Sequence, residues 1–252
     1  MRDVTDQERL RMRERPPGRR VMRQIWRHLG FIHWRVDPAD IAPLLPPGLE
    51  VDTFEGAAYV GIVPFTIPLT RAGLLGLPIA RAFHEINLRT YVHHGGREPG
   101  VWFWSLDATS RLAVMGARIG YGLPYFAADI EMGVKASDGG AGETVDYRLR
   151  RRGSPAAFTA RYGPVGAVAP AATGSLEFFL AERYLLYARS SGGLRTARVH
   201  HAAYPLQPAA AAAVEQTLTS VAGLPARACA GPPPLVHYAR EVDVEIFGPL
   251  RP

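Results

Sequence analysis

Between Val101 and Ala108 the chain reads VWFWSLDA, and this octet limits the fold more than any other stretch. At the two-residue period of a strand, Val101, Phe103, Ser105 and Asp107 point one way and Trp102, Trp104, Leu106 and Ala108 the other. Both faces carry bulk, so this strand belongs inside a covered or closed sheet and not at a solvated edge. Just upstream, EINLRTYV alternates too, with Glu85, Asn87, Arg89 and Tyr91 opposed to Ile86, Leu88, Thr90 and Val92. His93-His94-Gly95-Gly96 supplies a turn that pairs the two strands as a hairpin. The polar row on the first strand is then either a solvated face or the lining of a cavity.

Around this hairpin the pattern predicts a mainly β chain. Ile25 to Val36 reads as a strand on which Arg27, Phe31, His33 and Arg35 share a face provided that no bulge intervenes. Asp37-Pro38 starts a short helix, with Asp37 as cap and Pro38 in the first turn, and Pro46-Pro47-Gly48 stops it. Leu49 to Asp52 and Ala57 to Ile67 are strands about a Glu55-Gly56 turn, and Leu69 to Arg81 is a loop with an apolar tip. That tip packs over a cavity mouth or against a partner subunit. Met115 to Tyr125 holds too many Gly and Pro residues for a regular element, while Phe126–Val134 and Glu143–Arg152 pair about Ser137-Asp138-Gly139-Gly140. Ala157 to Tyr162 and Leu235 to Phe247 are further strands. Ser175 to Arg189 has helical spacing and predicts the one long helix, and the alanine-rich segment ending at Ser220 predicts a short one.

Over 252 residues, 47% apolar and 21% charged, the composition is that of a globular chain, read as a single domain over 21–252 behind a basic N-terminal arm over 1–20. The arm, MRDVTDQERLRMRERPPGRR, is a frayed helix or mobile, and it lacks the apolar segment of a secretory leader. With no apolar run of spanning length, the expected location is the cytoplasm, away from membranes. The net charge of +6 sits largely in this arm and in Arg148 to Arg152, without a basic repeat, so no nucleic-acid partner is expected. The single Cys229 rules out an intrachain disulfide.

Several chemistries are excluded by spacing. His93-His94 and His200-His201 are neighbours that point to opposite faces of a strand, and neither HExxH nor paired CxxC occurs, so no metal is expected. The chain has no GxSxG, and Ser105 lies inside a strand, so no serine hydrolase is expected; its glycines do not make a dinucleotide fingerprint, and no cofactor is expected. What remains is acid–base chemistry. Glu85, Asp107, His33, Arg27 and Arg89 are polar groups inside apolar strands, where burial without a partner costs on the order of several kcal/mol per charge. They face outward, or they meet in a cavity where arginine holds an anion and glutamate moves a proton.

The motifs HWRVDPADIAPLLPPGLEVDTFEG, EINLRTYV, FWSLDA, GLPYF, GSLEFFLAERYLLYA, VHHAAYPLQ and LVHYAREVDV, in this order, resemble the YqjF-like family of uncharacterised bacterial proteins over nearly the whole chain. That family looks like a distant relative of acetoacetate decarboxylase. The resemblance implies an α+β, mainly antiparallel fold: a closed conical β-barrel with flanking helices and an internal cavity. It implies Arg27 as the anion-holding and Glu85 as the acid–base residue, and the polar groups read from the strands, Arg89, Ser105, Asp107 and His33, are then expected as the wall for a small anionic or carbonyl-bearing ligand. The decarboxylase's imine-forming lysine corresponds to Ile119, or to Gly120 if the alignment slips by one, and Lys135 is the only lysine in the chain. The expectation is therefore a lyase, dehydratase or isomerase without a lysine imine, or a non-catalytic sensor or carrier with the same cavity.

Overall fold

The hairpin turn forms as its residues dictate: Gly95 and Gly96 both take positive φ, 57° and 72°, and join strand β5 (Phe83–His94) to β6 (Arg97–Ala108). The structure, a computed structural model, describes residues 4–73, 77–80, 82–110, 122–136, 142–190 and 193–250. In chain order the other strands are β1 (Met22–Val36), β2 (Glu50–Val51), β3 (Ala58–Ala72), β4 (Leu77–Ala80), β7 (Tyr125–Ala136), β8 (Glu143–Arg151), β9 (Ala157–Pro164), β10 (Leu185–Ser190), β11 (Gly193–His200), β12 (Leu206–Gln216) and β13 (Leu235–Leu250). The described helices are short: α1 (Asp6–Arg13), α2 (Pro38–Ile41), α3 (Leu176–Ala181) and α4 (Leu218–Val221). None is long and apolar enough to cross a membrane.

The strands make one ring-like, mainly antiparallel sheet. From β5 the pairing runs through β3, β1 and β13 to β11 and β10, and β10 pairs β6, which returns to β5. A second path leaves β6 through β7, β8, β9 and β12 and rejoins at β13. Strands β1, β3 and β5 belong to both paths, so each buries two faces. Ile32, Val60, Ile86 and Leu88 pack on one side with Tyr147, Phe158 and Tyr162 in a filled core. Phe31, Phe65 and Phe83 lie on the other side. This accounts for the bulk on both faces of the central strands.

Two sequence expectations fail here for the same reason. The long helix over Ser175–Arg189 ends at Ala181, because the segment after it is taken into the sheet: Leu186 and Tyr187 pair in parallel with Val101 and Trp102, and β11 pairs the other edge. Tyr184, Leu185, Tyr187 and Ala188 are buried, so strand pairing outweighs helical spacing. Likewise the alanine-rich segment is strand β12, paired to β9, and only Leu218–Val221 is helical. Part of the expected loop over Leu69–Arg81 is also strand, as β3 continues to Ala72 and pairs with β4. In the N-terminal segment, Thr5 caps α1, and Arg9 and Met12 are buried.

Candidate functional site

The inner row of β5, Phe83, Glu85, Asn87 and Arg89, lines a cavity of ≈ 320 Å³ whose walls come from β1, β3, β6, β10, β11 and β13. Register fixes what stands beside each rung. Glu85 pairs with Phe65 and Ala108, Asn87 with Val63 and Leu106, and Arg89 with Gly61 and Phe103. Gly61 is required at this level, since a Cβ there would lie 2.9 Å from the His33 ring and 3.5 Å from Cγ of Arg89.

Glu85 is 3% exposed. The Tyr125 hydroxyl donates to its Oε2 at 3.0 Å, and the Tyr147 hydroxyl donates to its backbone carbonyl at 2.8 Å. Burial drives the carboxyl from the ordinary 4.5 up to about 8; the Tyr125 hydrogen bond opposes this and the Asp107 charge adds to it. At neutral pH Glu85 is therefore a carboxylic acid, able to give up a proton inside an apolar cavity.

Arg89 is the opposite case, a charge without a counter-charge among the described residues. Its Nη2 donates to the Leu180 carbonyl at 2.9 Å and to the Tyr91 hydroxyl at 3.4 Å, both neutral acceptors, and its Nε has no partner among the described residues. The Leu180 carbonyl lies at the end of α3, where helix carbonyls favour a cation. Beside it stands Arg183, whose Nη1 bonds Asp52 Oδ2 at 2.7 Å and whose Nε donates to the Phe179 carbonyl at 2.7 Å. Nη2 of Arg183 has no partner among the described residues. Asp52 also takes both terminal nitrogens of Arg9, at 2.6 and 2.8 Å, so one carboxylate serves two guanidinium groups. Burial lowers Arg183 to about 10 against the pull of Asp52, while Asp52 stays below its ordinary value because the two arginines outweigh its own burial. Asn87 Oδ1 is a further buried atom without a partner among the described residues.

The sequence-derived set divides. Glu85 and Arg89 share the cavity, but Arg27 does not reach it. His28 sits at φ 55° in a bulge on β1, and the pairing with β3 shifts on both sides of Arg27. Met22, Gln24 and Trp26 face inward before the bulge and Leu29 and Phe31 after it, which leaves Arg27 outside, 46% exposed and ion-paired to Glu241. A second bulge displaces Ser105 and Asp107. Leu88 pairs with Ser105 but Arg89 pairs with Phe103, so Trp104 is an extra residue and the inward row changes from Val101 and Phe103 to Leu106 and Ala108. Asp107 is fully buried on the far side in a bidentate pair with Arg151, at 2.6 and 2.7 Å. His33 is buried behind Arg89, its Nε2 2.6 Å from the Tyr91 hydroxyl, and burial first, then Arg89 and His237, hold it neutral.

The sequence reading missed Arg183, Asp52 and Arg9. Arg183 carried the same signal as Glu85, a charge inside an apolar run, FFLAERYLLY, but helical spacing absorbed it. Lys135 lies on β7, 75% exposed and 3.7 Å from Asp146, so the chain's one lysine is far from being buried in a cavity. Ile119 and Gly120 lie outside the described residues. Among the described residues no group of three or more His, Cys, Asp or Glu side chains could hold a metal ion.

The ring-like, mainly antiparallel sheet has the fold of solved structures of the acetoacetate decarboxylase-like kind. The fold resembles the acetoacetate decarboxylase of Legionella pneumophila, with a TM-score of 0.62 at 14% identity, covering 99% of this chain and 95% of that one. It is also similar to the enduracididine biosynthesis enzyme MppR complexed with pyruvate, with a TM-score of 0.58 at 15% identity, covering 93% and 91%. The chain belongs to the DUF2071 family of uncharacterized conserved proteins, whose profile matches residues 23–243. It is 41% identical over 238 residues to the uncharacterized protein YqjF of Bacillus subtilis, covering 94% of each chain.

Proposed function

We propose that the ring-like sheet is a closed conical barrel in a cytoplasmic protein, and that its cavity binds a small organic anion bearing a carbonyl or hydroxyl group. Arg89, helped by Arg183, holds the anion, and protonated Glu85 serves as the acid. The reading rests on Arg89, a buried guanidinium that lines a cavity with only neutral acceptors around it. A buried cation left unpaired is costly, and an incoming carboxylate removes that cost through charge-assisted hydrogen bonds. A structural relative that binds pyruvate lends support by analogy of fold.

With Glu85 as acid and later base, the chemistry is proton transfer next to a carbonyl, of lyase, dehydratase or isomerase type. An imine route would need an amine, and Lys135 is exposed on the outer sheet. Calorimetric titration with 2-oxo acids tests the binding: saturable binding to the wild type and at least tenfold weaker binding to Arg89→Gln is the expected result, and equal affinity refutes it. Borohydride added with the same ligands should leave the mass unchanged; a mass shift on Lys135 refutes the imine-free chemistry. If the bound acid is turned over, Glu85→Gln abolishes turnover and keeps binding. A wild type that binds and never turns over is a carrier or sensor.

A further inference from the structure

The cavity is much more apolar than a pocket for a three-carbon acid requires, and its polarity is segregated along its length. Arg89 and Phe83 are six residues apart on one face of β5, about 20 Å at the rise of a strand. At the Arg89 end the charged and polar groups converge: Arg89, Arg183, Asn87 and the Tyr204 ring. Apart from these groups the wall is Val63 beside Asn87, Phe65 beside Glu85, and Leu29 and Phe83. At the far end the polar groups among the described lining residues are neutral and satisfy one another: Trp26 Nε1 donates to Gln24 Oε1 at 2.8 Å, and Gln24 Nε2 to Thr70 Oγ1 at 3.4 Å. Burial follows the same axis, with Leu29, Phe31 and Arg89 buried and Met22, Gln24 and Trp26 only partly so.

A volume of ≈ 320 Å³ equals that of roughly ten water molecules, and cavities of this size hold drug-sized ligands. A three-carbon acid seated on Arg89 would leave the Leu29–Phe83 belt empty, and a belt of that composition gives water no partners. On the reading of Arg89 as the anion holder, we infer that the ligand is a monocarboxylic acid with an apolar tail of about six to ten carbons. The acid group goes in first, to Arg89 and Arg183. An oxo or hydroxyl group stands by Asn87, on the side toward Glu85, and the tail lies along Leu29, Val63, Phe65 and Phe83. Among the described residues the Gln24–Thr70 end offers no lining cation for a second carboxylate at the tail.

The test is a series of 2-oxo acids with straight tails, from pyruvate to 2-oxodecanoate, titrated into the full chain by calorimetry. Affinity should rise about fourfold per added methylene until the belt is full, and 2-oxooctanoate should bind at least tenfold more tightly than the same chain carrying a terminal carboxylate. Val63→Phe, which fills the belt, should flatten the chain-length dependence. Where that variant fails to fold, the wild-type series decides alone. Affinity independent of tail length, or preference for the dicarboxylate, overturns the tail assignment while leaving Arg89 as anion holder. If none of the acids binds, or Arg89→Gln binds them all as well as the wild type, the anion site fails and the tail assignment with it.

Discussion

Glu85 is a proton store, and replacing it by glutamine should make the protein more stable as the pH rises. The folded chain raises this carboxyl from 4.5 to about 8, so between those values the unfolded chain is ionised and the folded chain is not. A group raised in the folded state contributes its full stability below pH 4.5 and loses it as the pH climbs through about 8. One pH unit of mismatch is worth about 1.4 kcal/mol. The loss is thus about 1 kcal/mol at pH 5 and about 3 kcal/mol at pH 7. Glutamine resembles the neutral acid in shape, its carbonyl can still accept from the Tyr125 hydroxyl, and it cannot ionise in either state. The stability of Glu85→Gln relative to wild type should therefore grow by about 2 kcal/mol between pH 5 and pH 7. For a chain of this length that is a rise of about 4–8 °C in the difference between the two melting temperatures. Thermal melts of both proteins at half-unit pH steps measure it. The buried histidines titrate in both proteins and cancel in the difference. A gap that stays constant from pH 5 to pH 7 would mean that Glu85 ionises normally, and the case for it as an acid in an apolar cavity would be lost.

Asp52→Asn leaves Arg9 and Arg183 sharing a neutral amide in place of a carboxylate, and breaking a buried ion cluster from one side should cost about 3–5 kcal/mol in urea unfolding. A loss under about 1 kcal/mol would show that water already screens this cluster. Arg27→Ala removes one side of an exposed pair, so stability should change by less than about 1 kcal/mol and the affinity for 2-oxo acids not at all; a weakened affinity would put Arg27 back among the ligand-binding residues.

The parts of this molecule legible in the sequence are those fixed by short-range chemistry. Gly95-Gly96 requires a tight turn, Asp37 caps its helix by accepting from the Ala39 amide at 2.8 Å, and the alternation over Glu85–Val92 gives one polar and one apolar face. What was illegible depends on partners distant in the chain. Leu185–Tyr187 has a helical pattern and becomes a strand only because β6 and β11 offer edges to it. Arg183, which helical spacing places on the packed stripe of a helix, becomes a cavity residue for the same reason. Alternation also fails as a guide once a bulge inserts a residue, and nothing local in WRHLG or FWSLD marks where the count slips.

Those two slips decide the charge of the cavity. With alternation unbroken from Phe31, β1 would bring Arg27 inward, and unbroken from Phe103, β6 would bring Asp107 inward opposite Glu85, adding an ionised carboxylate to the cavity that Arg89 lines. The bulge at His28 instead hands Arg27 to Glu241 at the surface, and the bulge at Trp104 hands Asp107 to Arg151 on the opposite face. Each displaced charge finds its own counter-ion. Arg89 is left with neutral acceptors, and the nearest inward carboxyl on its own strand, Glu85, is kept protonated by burial. A site for an anion therefore arises less from the residues brought into the cavity than from the two that the bulges keep out.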